Sequence, residues 1–328
     1  MAEAPTLLRL LADGATHEEA TLMQALGLSG TALARAIDAL GERGLELESL
    51  RAGSVRLPRP LDLIDRTRLE SPLAPEHRAR LEGIELLDEV DSTNARLLAA
   101  RGPAAGHWRA CLAEFQSAGR GRRGRVWQAP PASGVCLSFG WTFAESPAAL
   151  AAISLAAGVA VLRALARHEA HGLSLKWPND ILKDGCKLGG ILGEVQGNAD
   201  GSVYVVIGVG LNVRLPAGAR AAVIANGGLE PADLIDRGSA PERTALVASL
   251  LDALVAMALD FEARGFAPFL SEWNRADALR DRPVRVLDRH AGRDGIARGI
   301  DADGALRFER GGRIERLTAG DVSLRAVA

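Results

Sequence analysis

A chain of 328 residues is long enough to bury real cores in two or three domains, and 48% hydrophobic with 24% charged residues is the balance of a globular protein in water. The formal net charge of −2 supplies no overall attraction for nucleic acid or an anionic membrane, so any anion site has to be local. Cys111, Cys136 and Cys186 are odd in number and share no metal-type spacing, which argues against a disulfide framework, a structural zinc or any resident metal site.

The start, MAEAPTLLRL, has no basic region ahead of an apolar run, and no lipid-compatible span of about 18 residues is expected, so the protein reads as cytoplasmic with no membrane partner. Three short helices and a hairpin come first. Thr16 and Glu19 have capping-box spacing before Leu22, Met23 and Leu26, and Gly27 ends that helix. Ser29 caps a second helix with Leu33, Ile37 and Leu40 on one face, closed by Gly44. The short "GLS" link between them is a helix-turn-helix spacing. "LELESL", "RAGS" and "VRL" then make a wing-like hairpin, ended by Pro58 and Pro60. Over residues 1–66 there are seven arginines against ten acids, a net of −3, which is poor for binding phosphate. Thr31, Arg35 and Asp38 on the second helix and Arg51 and Arg56 on the wing are the groups offered to a DNA groove.

Residues 67–80, with two prolines among charges, read as a connector. Strands are predicted at 84–90, 110–115, 135–143, 173–176, 187–195 and 203–213, with long helices at 148–167 and 242–264, giving a mixed sheet with flanking helices. From Pro283 onward, short alternating runs separated by Asp294-Gly295, Asp303-Gly304 and Gly311-Gly312 suggest a small β barrel.

Four stretches carry chemistry. In "GRGRRGRVW", Gly119, Gly121 and Gly124 let backbone N–H groups converge on an anion while Arg120, Arg122, Arg123 and Arg125 supply forked donors. It lies between strands, so it is neither a Walker A loop nor a dinucleotide fingerprint, and a solvated basic turn is the plain alternative. Trp127 either stacks on a planar ligand or closes a core. In "KWPNDIL", Pro178 breaks the strand so that Asn179 and Asp180 project from its end, and Gly189 and Gly190 in "KLGGILGE" imply a ligand or backbone in close approach. "DSTNARLL" sets Asp91, Ser92, Thr93 and Asn94 at a helix start, where capping explains one or two of them. "GVGLNV" ends an apolar strand at Asn212. Of 39 basic residues only Lys176, Lys183 and Lys187 are lysines, all in one segment; either the clustering is accidental or a compact ammonium is needed there.

Taken in order, "DSTN", "FQSAGRGRRGRVW", "KWPND", "KLGGILGE" and "GVGLNV" resemble the biotin-protein ligase family, and the amino-terminal helix-turn-helix resembles its bifunctional ligase/repressor branch. The resemblance spans nearly the whole chain. It implies an α+β multidomain protein: a winged helix-turn-helix DNA-binding domain at 1–66, a class II synthetase-like α/β catalytic domain with a mixed sheet at 80–275, and an SH3-like β barrel at 280–328. It also implies the reaction. ATP, with Mg2+, activates biotin to biotinyl-5'-adenylate, and the biotinyl group passes to a lysine of the biotin carboxyl carrier protein of acetyl-CoA carboxylase. Ser92, Thr93, Asn94, Gln116, Arg120, Gly121, Arg122 and Lys187 are implied to meet biotin. Arg120, Arg122, Arg123, Trp127, Asn179, Lys187 and Asn212 are implied to meet ATP or the adenylate. Arg122, Asp180 and Lys187 are the catalytic candidates, with Asp180 orienting and deprotonating the carrier lysine. The arginine loop would be disordered until it closes over the adenylate. Operator DNA, through Thr31, Arg35 and Arg51, and a second copy of the chain in an adenylate-bound homodimer are the further partners implied. A monofunctional ligase with a vestigial amino-terminal module, a lipoate-protein ligase and a non-enzymatic sensor are the competing readings.

Overall fold

The computed structural model describes residues 6–50, 53–225, 229–236, 238–287, 292–318 and 323–326. At the amino terminus, α1 (Leu7–Leu11), α2 (Glu19–Leu26) and α3 (Gly30–Glu42) pack with a small antiparallel sheet of β1 (His17–Glu18), β2 (Glu48–Leu50) and β3 (Ser54–Arg56), in the order β1-β3-β2. Leu7, Leu8, Leu11, Leu22, Leu33, Leu40, Val55 and Leu57 form a separate small core. Ser29 caps α3 as expected, its Oγ accepting from the Ala32 amide, and Gly27 takes the left-handed conformation that ends α2. The capping box at Thr16 and Glu19 does not form. His17 and Glu18 pair with Val55 and Ser54 instead, so Glu18 becomes the residue before α2 and contributes no side-chain cap.

The connector is partly helical, with a 3-10 turn at Arg66–Arg68 and α4 (Pro75–Arg78). The central unit then follows: β4 (Leu81–Val90), α5 (Thr93–Ala99), β5 (Trp108–Gln116), β6 (Gly134–Phe143), α6 (Ile153–Ala166), β7 (Leu173–Lys176), β8 (Asp180–Lys183), β9 (Cys186–Gly197), β10 (Val203–Asn212), α7 (Ala217–Ala225), α8 (Arg243–Arg264) and α9 (Ala267–Ala276). Its seven strands run β4-β5-β6-β10-β9-β8-β7, parallel only between β4 and β5. The sheet is therefore mixed. One face packs on α6, α8 and α9 through a core that includes Phe139, Trp141, Phe143, Phe261 and Phe269, while Leu97, Cys111, Tyr204 and Val206 fill the other face beneath α5.

One sequence expectation is corrected by α8. It contains an apolar window with mean hydropathy 1.8, long enough to cross a membrane by length and composition, although 67% of that window is buried inside the protein. Leu246, Leu250, Leu254 and Phe261 are completely buried, as befits a core helix whose apolar residues face α6 and β6.

The carboxy-terminal strands β11 (Pro283–Leu287), β12 (Gly292–Ile300), β13 (Leu306–Arg310), β14 (Arg313–Leu317) and β15 (Ser323–Ala326) form an antiparallel sheet in the order β14-β13-β12-β11-β15. Gly311 and Gly312, both at positive φ, make the predicted turn between β13 and β14. Asp294-Gly295, read as a turn from the sequence, lies inside β12. Any Cβ on Gly295 would come within 2.5 Å of the Phe308 ring, so glycine here makes room for a cross-strand aromatic. This sheet shares the central core through Val284, Val286, Ile300 and Phe308, and the Gly304 carbonyl accepts from the indole of Trp177 at 3.1 Å.

Two buried charges join the amino-terminal connection to the sheet. Glu114 on β5 and Arg243 at the start of α8 meet at 2.7 Å with their side chains almost fully enclosed. Glu114 also accepts from the Ile64 amide at 2.7 Å, and Arg243 donates to the carbonyls of Gly134 and Asp62 at 2.9 and 2.6 Å. A buried pair of this kind fixes position more than it stabilises, because desolvation offsets most of the attraction.

Candidate active site

The ends of β5, β6, β7, β8, β9 and β10 and the loop after β5 enclose a cavity of about 940 Å³. Every candidate ligand residue named from the sequence in the central unit lies on its wall: Ser92, Thr93, Asn94, Gln116, Arg120, Gly121, Arg122, Arg123, Trp127, Asn179, Asp180, Lys187 and Asn212.

One end is a polar cluster at the start of α5. Ser92 caps the helix, accepting from the Ala95 amide at 3.4 Å. The Thr93 amide and hydroxyl both donate to Gln116 Oε1, at 2.8 and 3.0 Å. Ser138 Oγ lies 2.7 Å from Thr93 Oγ1 and also reaches Asn94 Oδ1. Ser92, Thr93 and Asn94 are each 4% exposed, so their polar groups are enclosed, and hydrogen bonding here is obligatory.

The arginine loop closes the cavity from above. Gly121 N–H donates to the Arg125 carbonyl at 2.7 Å and Trp127 N–H to the Gly119 carbonyl at 2.9 Å, with Arg120 bridged to Val126. These contacts draw the segment into a hairpin with one 3-10 turn, Arg122–Gly124. Glycine is required at 119, where a Cβ would stand 2.4 Å from the Trp127 carbonyl oxygen. Arg120 pairs with Glu194 on β9 at 2.9 Å. Burial lowers the affinity of Arg122 for its proton and Arg123 and Arg125 lower it further, opposed by the Asp180 carboxylate. Trp127 packs against β10, where a Cβ on Gly210 would come within 2.7 Å of its ring.

Asp180 is the centre of the other end. Pro178 does interrupt β7, but Asp180 opens β8, opposite Lys176, so the predicted strand end is the turn of a hairpin. Asp180 Oδ1 lies 2.6 Å from Lys187 Nζ and Oδ2 lies 3.5 Å from Lys176 Nζ. Burial pushes the carboxyl upward, yet the ammonium groups of Lys187 and Lys176 outweigh it and hold Asp180 below the usual carboxylate range. Burial lowers the Lys176 ammonium, against the pull of Asp180. Asn179 ties this turn to β9, its amide donating to the Ile191 carbonyl at 2.8 Å while its own carbonyl accepts from Ile191 N–H.

The three lysines thus divide their work. Lys176 and Lys187 flank one carboxylate in the cavity, whereas Lys183 donates to the carbonyls of Asp233 and Ile235, at 3.1 and 3.0 Å, and pins the segment that forms a cavity rim. Asn212, 5% exposed, secures the same segment by donating to the Ala232 carbonyl at 2.9 Å. Gly189 is needed for backbone approach, since a Cβ would lie 2.5 Å from the Gly210 carbonyl oxygen, while Gly190 has only ordinary contact with Lys187.

Ser138 and Glu194 are not among the candidates drawn from sequence, and Lys176 is singled out there only as one of the three clustered lysines. Lys176 and Glu194 stand inside quoted motifs and had a signal; Ser138, inside an apolar strand, had only its polarity. Thr31 and Arg35 are exposed on α3, and Arg51 lies outside the described residues. Among the described residues there is no cluster of three or more His, Cys, Asp or Glu suited to a metal ion.

The model of the biotin/lipoate A/B protein ligase family matches residues 89–212, and that of the biotin protein ligase C-terminal domain matches residues 281–325. The bifunctional ligase/repressor BirA of Salmonella typhimurium is 36% identical over 98% of this chain and 97% of its own length. A biotin--[acetyl-CoA-carboxylase] ligase of Mycobacterium tuberculosis is 37% identical over 79% of this chain and 98% of its own. In fold, the chain is similar to the Aquifex aeolicus biotin protein ligase solved with biotin and ATP, with a TM-score of 0.59 and 23% identity over 75% of this chain and all of that one. The chain belongs to the biotin protein ligase family.

Proposed function

We propose that this protein is an ATP-dependent biotin protein ligase acting in the cytoplasm on the biotin carboxyl carrier protein of acetyl-CoA carboxylase. The observation that carries the reading is one cavity joining an enclosed polar cluster, an arginine hairpin and a carboxylate flanked by two ammonium groups. The cluster of Thr93, Asn94 and Gln116 suits a ureido head group, with Ser92 and Gly121 beside it. A carboxylate oxygen of biotin attacks the α-phosphorus of ATP, the bond to pyrophosphate breaks, and the mixed anhydride forms. Both reactants are anionic, so the step needs cations placed where charge gathers in the transition state, and Arg120, Arg122, Arg123 and Lys187 suit that need. Trp127, Asn179 and Asn212 line the part left for the nucleotide.

In the second step the carrier lysine, as its neutral amine, attacks the acyl carbon and AMP leaves. Asp180 is the carboxylate available to orient that amine and take its proton. Mg2+ would enter with the ATP phosphates and supply charge neutralisation there. The reading is tested by incubating the protein with MgATP, the carrier domain and either biotin or lipoate, then weighing the carrier. One biotinyl group on one lysine is expected, and a lipoyl group instead would move the protein to the sister activity.

The architecture supports a winged helix-turn-helix at 1–66, a class II synthetase-like unit at 80–275 and an SH3-like barrel at 280–328. A second role, as an adenylate-responsive repressor that binds operator DNA as a homodimer, is favoured by the BirA match over 98% of the chain, which takes in the amino-terminal unit. Thr31 and Arg35, exposed on α3, are the groups for the groove. A mobility-shift assay at low salt with biotin and ATP present should show preference for DNA upstream of biotin-synthesis genes over random DNA, and sedimentation should show the dimer under the same conditions.

A further inference from the structure

Asn94 joins two residues that the reading above leaves without a role, Ser138 and Glu194. Its amide nitrogen donates to the Leu192 carbonyl at 3.2 Å and to Glu194 Oε2 at 2.7 Å. Both partners are acceptors only, so turning the amide would set oxygen against oxygen, and the orientation is fixed by chemistry. With both N–H groups engaged, Asn94 has only Oδ1 to offer. That oxygen faces Ser138 Oγ on one side and Gly208 on the other, where a Cβ would stand 2.5 Å away. Thr93 is directed in the same sense, because its hydroxyl proton goes to Gln116 Oε1 and leaves its lone pairs exposed to the cluster. Ser138 has one proton to share between Thr93 Oγ1 and Asn94 Oδ1. This corner of the cavity is rich in acceptors.

We propose that Glu194 is a positioning and specificity-determining residue: by holding the Asn94 amide nitrogen toward itself, it makes Asn94 Oδ1 a fixed acceptor that selects a ligand carrying an N–H donor. A cyclic urea meets that requirement and a dithiolane ring does not. The inference rests on the biotin reading. A buried acceptor facing a ligand without the donor is left unpaired, which is how such sites reject close analogues. Glu194 also accepts from Arg120 Nη2 at 2.9 and 3.1 Å, so one carboxylate ties the arginine hairpin to the wall of the head-group cluster. Its replacement disturbs both, and changing the ligand rather than the protein separates them.

The test is ATP–pyrophosphate exchange by the full chain and its Glu194→Ala and Glu194→Gln variants. The substrates are biotin and the two cyclic carbamates in which one ureido N–H is replaced by oxygen. For the wild type, one carbamate should show a KM raised about tenfold over biotin. In Glu194→Ala the biotin KM should rise more than kcat falls, and the carbamate penalty should shrink to about twofold, since an Asn94 amide held only by the longer bond to the Leu192 carbonyl, at 3.2 Å, loses the contact that fixes Oδ1 as the acceptor. Glu194→Gln, whose Oε1 still accepts from Asn94, should restore most of the wild-type discrimination. Glu194→Leu keeps the volume without the acceptor and gives the same readout if alanine leaves the protein unfolded. An equal carbamate penalty in the wild type and in the alanine or leucine variant, with the wild type active on biotin, contradicts the role of Glu194 and leaves the ligase reading intact. No biotin-dependent exchange in the wild type removes both.

Discussion

The cavity and the amino-terminal unit treat positive charge in opposite ways. In the cavity, cations outnumber their partner: Lys176 and Lys187 share Asp180, and the arginine hairpin lies across from them. In the amino-terminal unit, three arginines are matched by acids, Arg56 by Glu48 within the wing and Arg9 and Arg43 by Asp88 and Glu89 on the central unit, each at 2.7 Å. A site that must bring two anions together needs an excess of cations. Arginines paired in this way hold neighbouring elements in place and have little charge left for phosphate. Local arrangement decides this, since the net charge of −2 announces neither region.

The largest effects should come from removing the cavity's cations. Lys187→Ala and Arg122→Ala should each slow adenylate formation by about 10²–10³-fold in single-turnover chemical quench, and near-wild-type rates would take them out of the chemistry. Next, Asp180→Ala should slow transfer from preformed adenylate to the carrier by roughly 10²-fold. Because its neighbours hold the Asp180 carboxyl below the usual range, the contribution of its ionised form should persist from neutral pH down through the ordinary carboxylate range and fade only as pH drops through the lowered value.

Asp277 supplies a control for that comparison, a half-buried carboxylate without a flanking ammonium pair. Its Oδ2 is buried without a hydrogen-bond partner, and burial pushes its pKa up to about 6, opposed by the Leu279 amide and by Arg280. The folded state then holds a proton that the unfolded chain releases nearer 4, so stability falls as pH rises from about 4 to 6 and is not regained above it. Asp277→Asn should therefore raise stability at pH 8 by on the order of 1–2 kcal/mol in thermal unfolding, with the advantage gone near pH 4. The smallest effect belongs to the amino-terminal unit. Arg35→Ala should weaken duplex binding only a few-fold and lower the salt slope by about 1, and a tenfold loss would mean that α3 carries more of the binding than its charge suggests.

Much of the site was legible because its ligands sit in contiguous motifs at strand ends, and Ser29, Gly27 and the long core helix followed local rules. What escaped depended on contacts distant in sequence. The strand at Asp180–Lys183 is hidden between two turn signals and is made by its pairing with β7 and β9. Thr16 lost its capping role to a strand pairing with Val55. Gly295 looked like a turn because the Phe308 ring that needs its missing side chain is thirteen residues away. Glu194 stands inside the KLGGILGE stretch, and nothing local in sequence says that Asn94 and Arg120 converge on it.

The central claim is that this cavity joins biotin to ATP. ATP–pyrophosphate exchange by the purified full chain, with Mg2+ and either biotin, lipoate or neither, tests it most directly. Exchange that appears only with biotin is predicted. Exchange with lipoate alone, or with neither acid in demonstrably folded protein, would contradict it.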